Sequence, residues 1–240
     1  MTIRLFVETP LAASTEMALP PGPARHAQVR RVQPGESLIL FDGRGGEWRA
    51  RVTTMGRSDV RVAVEQHVEV ERELPLAVTL AVGMPANERM DILIEKATEL
   101  GVAAVQPLLC ERSVLRPTGE RAERKREHWQ AVAVAASEQC GRTRVPLLKP
   151  ICALGAWLAL RPASPAGWLL SPSPSAARPT RPTWPPSGPL VVLSGPEGGL
   201  SPAEEEAARA AGFIAISLGP RVLRAETAPL ALLAWLGLVG

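Results

Sequence analysis

Much of what could be present in these 240 residues is missing, and each absence narrows the reading. Cysteine is scarce: Cys110, Cys140 and Cys152 are the only three. They cannot build a disulfide framework and do not have metal-ligand spacing, so they read as reduced, mostly buried thiols, and no metal is expected. No run of about 18 apolar residues occurs, which leaves no candidate membrane span. The opening MTIRLFVETP lacks the long apolar core of a signal peptide, so a cytoplasmic protein is expected. Neither Gly-Lys-Ser/Thr nor G-x-G-x-x-G occurs, which removes the P-loop and dinucleotide fingerprints. No internal repeat is apparent. A large excess of one charge is also missing: the net charge is +3 and the pI near 9.1, a mildly basic balance that permits a nucleic-acid partner without demanding one. Hydrophobic residues make up 46%, enough for a proper core and against global disorder.

The most informative stretch is LVVLSGPEGGLSPAEEEAARAAGFIAISLGPRVLRAETA, residues 190 to 228. Leu190–Leu193 and Phe213–Leu218 have the length and composition of buried strands. Each runs into a glycine-containing turn, Ser194–Gly199 after the first and Gly219–Pro220 after the second. The segment between them predicts a helix. Ser201 is its N-cap, Pro202 its first residue, Glu204 completes a capping box, and Gly212 ends it. Such a unit places both loops at the carboxyl ends of parallel strands, where open α/β sheets bind ligands. Glu197 within the first loop would repel an anion. Bare backbone plus one carboxylate suits a neutral or cationic ligand, and two ordinary tight turns are the alternative.

The rest of the chain divides at the charged segment Glu65–Leu74. Residues 1 to about 73 read as β structure: a strand at Ser37–Phe41, a turn at Asp42–Gly46, a return strand in which Trp48, Ala50 and Val52 alternate with arginines, and another carrying Val60, Val62 and Val64. Short alternating strands joined by glycine turns suggest a small barrel. Arg4, Arg25, Arg30, Arg31, Arg44, Arg49, Arg51, Arg57 and Arg61 have few acids among them, and form either a solvated face or a phosphate-contacting one. After the boundary, Leu76–Val82 and Val102–Leu109 read as strands. They flank a helix capped by Asn87, with Met90, Leu93, Ala97 and Leu100 on one face and Gly101 as its stop. Strand–helix–strand implies a parallel pair. A long helix covers Glu120–Cys140. Residues 161 to 189 hold nine prolines and read as a stiff connector, with Gly167–Leu170 as a short strand and Ser171–Pro189 as a surface loop. Glu226–Val239 reads as an apolar helix.

GPEGGLSPAE followed by LGPRVLRAETA is similar to the SPOUT methyltransferases and, within them, to the RsmE family. ERMDILIEKATELGV, SEQCGRTRVP, and His26–Val32 taken with FDGRGGEW resemble further segments of that family, so the resemblance spans nearly the whole chain. It implies an α/β protein: a PUA-like β-barrel over residues 1–73 that binds RNA, and a SPOUT domain over 74–240 with a parallel sheet and a C-terminal trefoil knot. The activity it implies is S-adenosylmethionine-dependent methylation of uridine N3 in 16S ribosomal RNA by a homodimer. Transfer to another RNA atom, such as a ribose oxygen, is one alternative; a non-catalytic RNA-binding or ribosome-assembly protein is the other. The resemblance assigns the cofactor to Leu193, Ser194, Gly195, Glu197, Gly198, Gly199, Leu218, Gly219, Val222, Leu223 and Thr227. Uridine N3 must lose its proton, so a base or an anion-stabilising cation is expected. Arg224 is the first candidate, with Glu226 or Glu197 as its alternative structural partner, and Arg4 is the second. Arg25, Arg30, Arg31 and Arg142 are the expected RNA contacts. Ala86 stands where relatives usually carry a basic residue.

Overall fold

The computed structural model describes residues 2–57, 59–86, 88–161, 166–172, 176–177 and 188–239. The chain forms two compact units. The first contains Met1–Glu73 and Val134–Val145, and the second Leu74–Ala133 and Pro146–Gly240.

The first unit holds β1 (Arg4–Phe6), β2 (Thr15–Ala18), α1 (Pro21–Val29), β3 (Ser37–Phe41), β4 (Glu47–Met55) and β5 (Val60–Val68). The strands make one five-stranded sheet in the order β1-β3-β4-β5-β2. Alternation explains β4 and β5: Ala50, Val52, Val60, Val62 and Val64 are buried while Arg49 and Arg51 are exposed. One element departs from the all-β expectation. His26–Val29 lies on a helix, α1, which opens with proline near its first position and buries only Ala24 and Ala27 against the core. Two small residues three apart give too weak an apolar stripe to announce a helix, whereas the fixed φ of proline suits its first turn.

The second unit is built on β6 (Val78–Gly83), β7 (Ala104–Leu109), the two-residue β8 (Leu147–Leu148) and β9 (Cys152–Ala153), β10 (Ala166–Leu170), β11 (Leu190–Ser194) and β12 (Phe213–Ile216). Among the described residues every pairing in this seven-stranded sheet is parallel, in the order β12-β10-β11-β6-β7-β8, with β9 also on β7. The short strand read inside the proline-rich stretch is β10, and it pairs on both edges. Val78, Leu80, Val192 and Leu193 are fully buried, as strands covered on both faces require.

The helices are α2 (Glu88–Glu99), α3 (Gly119–Cys140), α4 (Leu154–Leu160), α5 (Pro202–Ala210) and α6 (Thr227–Val239). In α2, Met90, Leu93 and Ala97 are buried, and Gly101 follows at a φ of +89°. The expected cap Asn87 lies outside the described residues. Asp91 of α2 accepts hydrogen bonds from the Trp129 indole at 3.0 Å and shares 2.8 Å with the His128 ring, which fixes α2 against α3. Among the described residues no helix is long and apolar enough to cross a membrane. Of Ser171–Pro189, residues 173–175 and 178–187 lie outside the described residues. Ala177 bridges to Ile216 of β12.

Candidate functional site

The carboxyl ends of three neighbouring strands, β12, β10 and β11, open into one cleft of about 590 Å³ within the second unit. Chain segments leaving these strands build its walls, the position at which open α/β sheets hold ligands. The first wall is Ser194–Leu200. Gly199 takes a φ of +68° and its N–H closes a turn onto the Pro196 carbonyl at 2.8 Å. Helix α5 then begins as the sequence predicts: Ser201 accepts from the Glu204 N–H, and the Glu204 carboxylate accepts from the Ser201 N–H at 2.9 Å. The second wall is Ile216–Ala225, in which Gly219 has a φ of +115° and its N–H reaches the Ser217 hydroxyl. Leu170, Ser171 and Pro172 add to the lining from the end of β10.

The two loops that the sequence singled out therefore meet in one place. Ser194, Gly195, Glu197, Gly198, Gly199, Leu218, Gly219, Val222, Leu223 and Arg224 all line the cleft. Leu193 and Thr227 do not. Leu193 is fully buried in the apolar core, and Thr227 begins α6 with its N–H on the Arg224 carbonyl at 3.0 Å. Glycine has different reasons at different points. A Cβ at Gly195 would meet the backbone of Gly199 and Leu200 at 2.8–2.9 Å, so that glycine closes the loop on itself. A Cβ at Gly199 or Gly219 would meet nothing within 4 Å, so both present bare backbone to open space.

Arg224 is exposed, and among the described residues its guanidinium has no partner. The two structural partners considered for it are not engaged: Glu197 pairs with Arg89 at 3.3 Å, and Glu226 keeps a buried carboxylate oxygen without a hydrogen bond. Sequence reasoning missed Arg89, Arg112, Arg221 and Glu205, which also line the cleft. Arg89 sits in the first turn of α2, just beyond the carboxyl end of β6; a basic residue placed there is the signal that could have found it. Arg221 is exposed, whereas Arg112 donates to the Gly198 and Leu200 carbonyls at 2.9 and 3.2 Å. Cys110 is buried below the first loop. Burial, with the Glu204 charge adding to it, pushes its thiol up to about 12.

In the first unit the expected basic residues separate into two groups. Arg25, Arg30 and Arg31 are exposed on α1 and the turn after it, where Arg31 takes a φ of +56°. Arg4 and Arg142 are occupied. The Arg4 guanidinium pairs with Glu47 and donates to the Arg142 carbonyl at 3.0 Å. Arg142, expected at an RNA surface, is 4% exposed and forks onto the Glu73 carboxylate, so burial and pairing withdraw it from any such surface. Burial pushes the Glu47 carboxyl up, but hydrogen bonds from Arg4 and Arg72 outweigh it and hold the group below its ordinary value. Among the described residues no three metal-ligating side chains come together.

Comparison with known proteins agrees with this geometry. Residues 72–237 match an RNA methyltransferase domain family, and residues 24–65 match an RNA methyltransferase PUA domain. A ribosomal RNA small subunit methyltransferase E from Synechocystis is 35% identical over 212 residues, covering 86% of this chain and 67% of that protein. The crystal structure of a ribosomal RNA small subunit methyltransferase E from Neisseria gonorrhoeae, bound to S-adenosyl methionine, superposes with a TM-score of 0.93 at 34% identity, over 100% of this chain and 98% of that one. A putative methyltransferase from Legionella pneumophila, solved with the cofactor bound, gives 0.92 at 32% identity over 100% and 98%.

Proposed function

The chain belongs to the family of ribosomal RNA small subunit methyltransferase E, and we propose that it transfers the methyl group of S-adenosylmethionine to N3 of a uridine in 16S ribosomal RNA. Methylation of ribosomal RNA with S-adenosylmethionine is the activity of the family; the acceptor atom and the roles of individual residues are the reading advanced here. Residues 1–73 serve as the PUA-like RNA-binding domain and 74–240 as the SPOUT methyltransferase domain. The homodimer, the trefoil knot and the cytoplasmic location belong to the same reading.

The observation that carries it is the cleft at the ends of β12, β10 and β11, walled by glycine backbone and rimmed by Arg224, whose guanidinium has no partner among the described residues. The open space before Gly199 and Gly219 fits a ligand approaching bare main chain. Ser194, Gly195, Gly198, Gly199, Leu218, Gly219, Val222 and Leu223 would hold S-adenosylmethionine there. When bound, this cofactor supplies an electrophilic methyl group on a sulfonium. The loops orient it and hold the acceptor nitrogen in line, since positioning is the largest contribution a protein makes to a direct displacement. The N3 proton passes to solvent, Arg224 donates to a uracil carbonyl oxygen as negative charge develops, and the methyl–sulfur bond would break as the N3–methyl bond forms, leaving the thioether S-adenosylhomocysteine. No histidine lines the cleft, so stabilising the anion matters more than a dedicated imidazole base. Arg4 stands second, because its guanidinium is already committed to Glu47. Arg25, Arg30 and Arg31 contact RNA phosphates.

The test incubates the purified chain with S-adenosylmethionine and small ribosomal subunits lacking the modification, then maps methylated nucleosides by mass spectrometry. N3-methyluridine at one position is expected. A ribose-methylated product would overturn the acceptor assignment, and no transfer at all would favour a binding protein.

A further inference from the structure

The loop Ser194–Leu200 contains Gly195, Gly198 and Gly199, the residues with most freedom to lose on ordering. Yet it is tied from outside at several points. The Glu197 carboxylate accepts the Ala86 backbone N–H at 2.8 Å and one nitrogen of Arg89 at 3.3 Å, both on the same oxygen. One nitrogen of Arg112 donates to the Gly198 and Leu200 carbonyls. The Arg112 stem lies below Gly198, where an added Cβ would meet its Cβ at 3.0 Å. Beyond the loop, the Glu111 N–H donates to Glu204 at 2.8 Å, whose second oxygen serves the capping box. The ties come from the segments that follow β6 and β7, not from the loop's own neighbours in sequence.

We propose that Arg112 and Glu197 are positioning residues, a clamp that keeps the glycine loop in its ligand-ready shape. Glu197, which the resemblance assigns to the cofactor, then acts through the loop rather than on the ligand. The clamp rests on the reading of the cleft as an S-adenosylmethionine site. It lowers the ordering cost that the ligand would otherwise meet, so losing it weakens binding without touching chemistry. It also accounts for Ala86. The donor there is a backbone amide, so a small side chain in place of a basic one leaves the tie intact.

The discriminating experiment uses Glu197→Gln beside Glu197→Ala, and Arg112→Met, which keeps the stem and removes the donors. S-adenosylmethionine affinity is measured by calorimetry on the full chain, with melting temperature and steady-state methylation of small subunits. Glutamine keeps a carbonyl oxygen for the Ala86 N–H and loses only an exposed ion pair, of small worth. The clamp predicts about a tenfold rise in Kd for Glu197→Ala and Arg112→Met, but about threefold or less for Glu197→Gln, as expected for loss of one net hydrogen bond against none. KM for the cofactor should rise in step while kcat at saturating cofactor falls by less than about twofold, a split that general destabilisation does not produce. If Glu197→Gln is as damaging as Glu197→Ala, the carboxylate acts on the cationic ligand directly and the proposal falls. If wild type binds and all three variants bind equally well, the loop needs no clamp and only this inference is lost. A wild-type chain that binds no S-adenosylmethionine overturns the functional reading itself.

Discussion

Gly83→Ala adds one methyl group where β6 ends, and the structure says what that methyl meets. An added Cβ would stand 2.5 Å from Pro196 Cδ, 2.6 Å from Pro196 N and 2.9 Å from Cys110 Sγ. The φ of Gly83 is not in the left-handed region, so alanine is acceptable to the backbone and space alone decides. Ordinary contact begins near 3.4 Å, so Pro196 and the loop that follows must retreat by about 0.9 Å. Overpacking of this kind costs about 1–3 kcal/mol. For a chain of this size that lowers Tm by roughly 2–12 °C. A retreat of that length also stretches the Ala86–Glu197 bond, now 2.8 Å, beyond hydrogen-bonding range. Kd for S-adenosylmethionine should therefore rise about tenfold or more. Differential scanning fluorimetry and calorimetry measure the two effects. Gly155→Ala in α4 is the control: its Cβ meets nothing within 4 Å, so it should bind like wild type and keep or slightly raise Tm. A Gly83→Ala protein with unchanged Tm and unchanged Kd would refute the idea that the loop is seated on β6.

Arg224→Ala should leave Tm and cofactor affinity near wild type while methylation falls about 100- to 1000-fold, with Arg224→Lys keeping part of the rate; normal turnover at saturating substrates would end the assignment. Replacing Arg30 and Arg31 with alanine should reduce the salt slope of RNA binding by about one unit per lost phosphate contact, with cofactor Kd unmoved, and an unchanged slope would return them to a solvated face. Glu47 supplies a pH prediction. Its folded pKa lies below the ordinary 4.5 because Arg4 and Arg72 outweigh burial, so its stabilisation is complete above that value and lost as pH falls below it. Tm should decline on acidification below about pH 4.5, and Glu47→Gln should be less stable at neutral pH but lose less on acidification; parallel curves would show that this ion pair does not contribute.

Local rules carried the sequence reading wherever the structure is itself local. The Ser201–Glu204 box, the alternation of β4 and β5, and the two glycine turns are all set by neighbours within a few positions, so they were legible. Leu93 and Ala97 betrayed α2 for the same reason. Strands β1 and β2 are three and four residues long and carry too little alternation to be read. The cleft was half legible. Its glycine loops stand out in the sequence, but Arg89 and Arg112 reach it from positions 108 and 86 residues away from their partners, and no local pattern announces such distances. Arg142 shows the opposite failure. The resemblance of SEQCGRTRVP made it an RNA contact, and only the fold reveals that Glu73 pairs with it in the interior.

The first unit is not continuous in sequence, and that has a consequence for how the chain emerges from the ribosome. Its later piece, Val134–Val145, supplies Glu138, which accepts the Phe6 N–H at 2.9 Å and pairs with His26 at 3.0 Å, and the Arg142 carbonyl that receives Arg4. Vectorial synthesis at about 5–20 residues per second delivers Val145 roughly 4–14 s after Glu73. Throughout that interval the Phe6 N–H and the His26 ring lack Glu138, and Arg4, though paired with Glu47, lacks the Arg142 carbonyl. A fragment ending at Glu73 would keep these groups without the partners that Val134–Val145 supplies, because it lacks the later piece of the first unit.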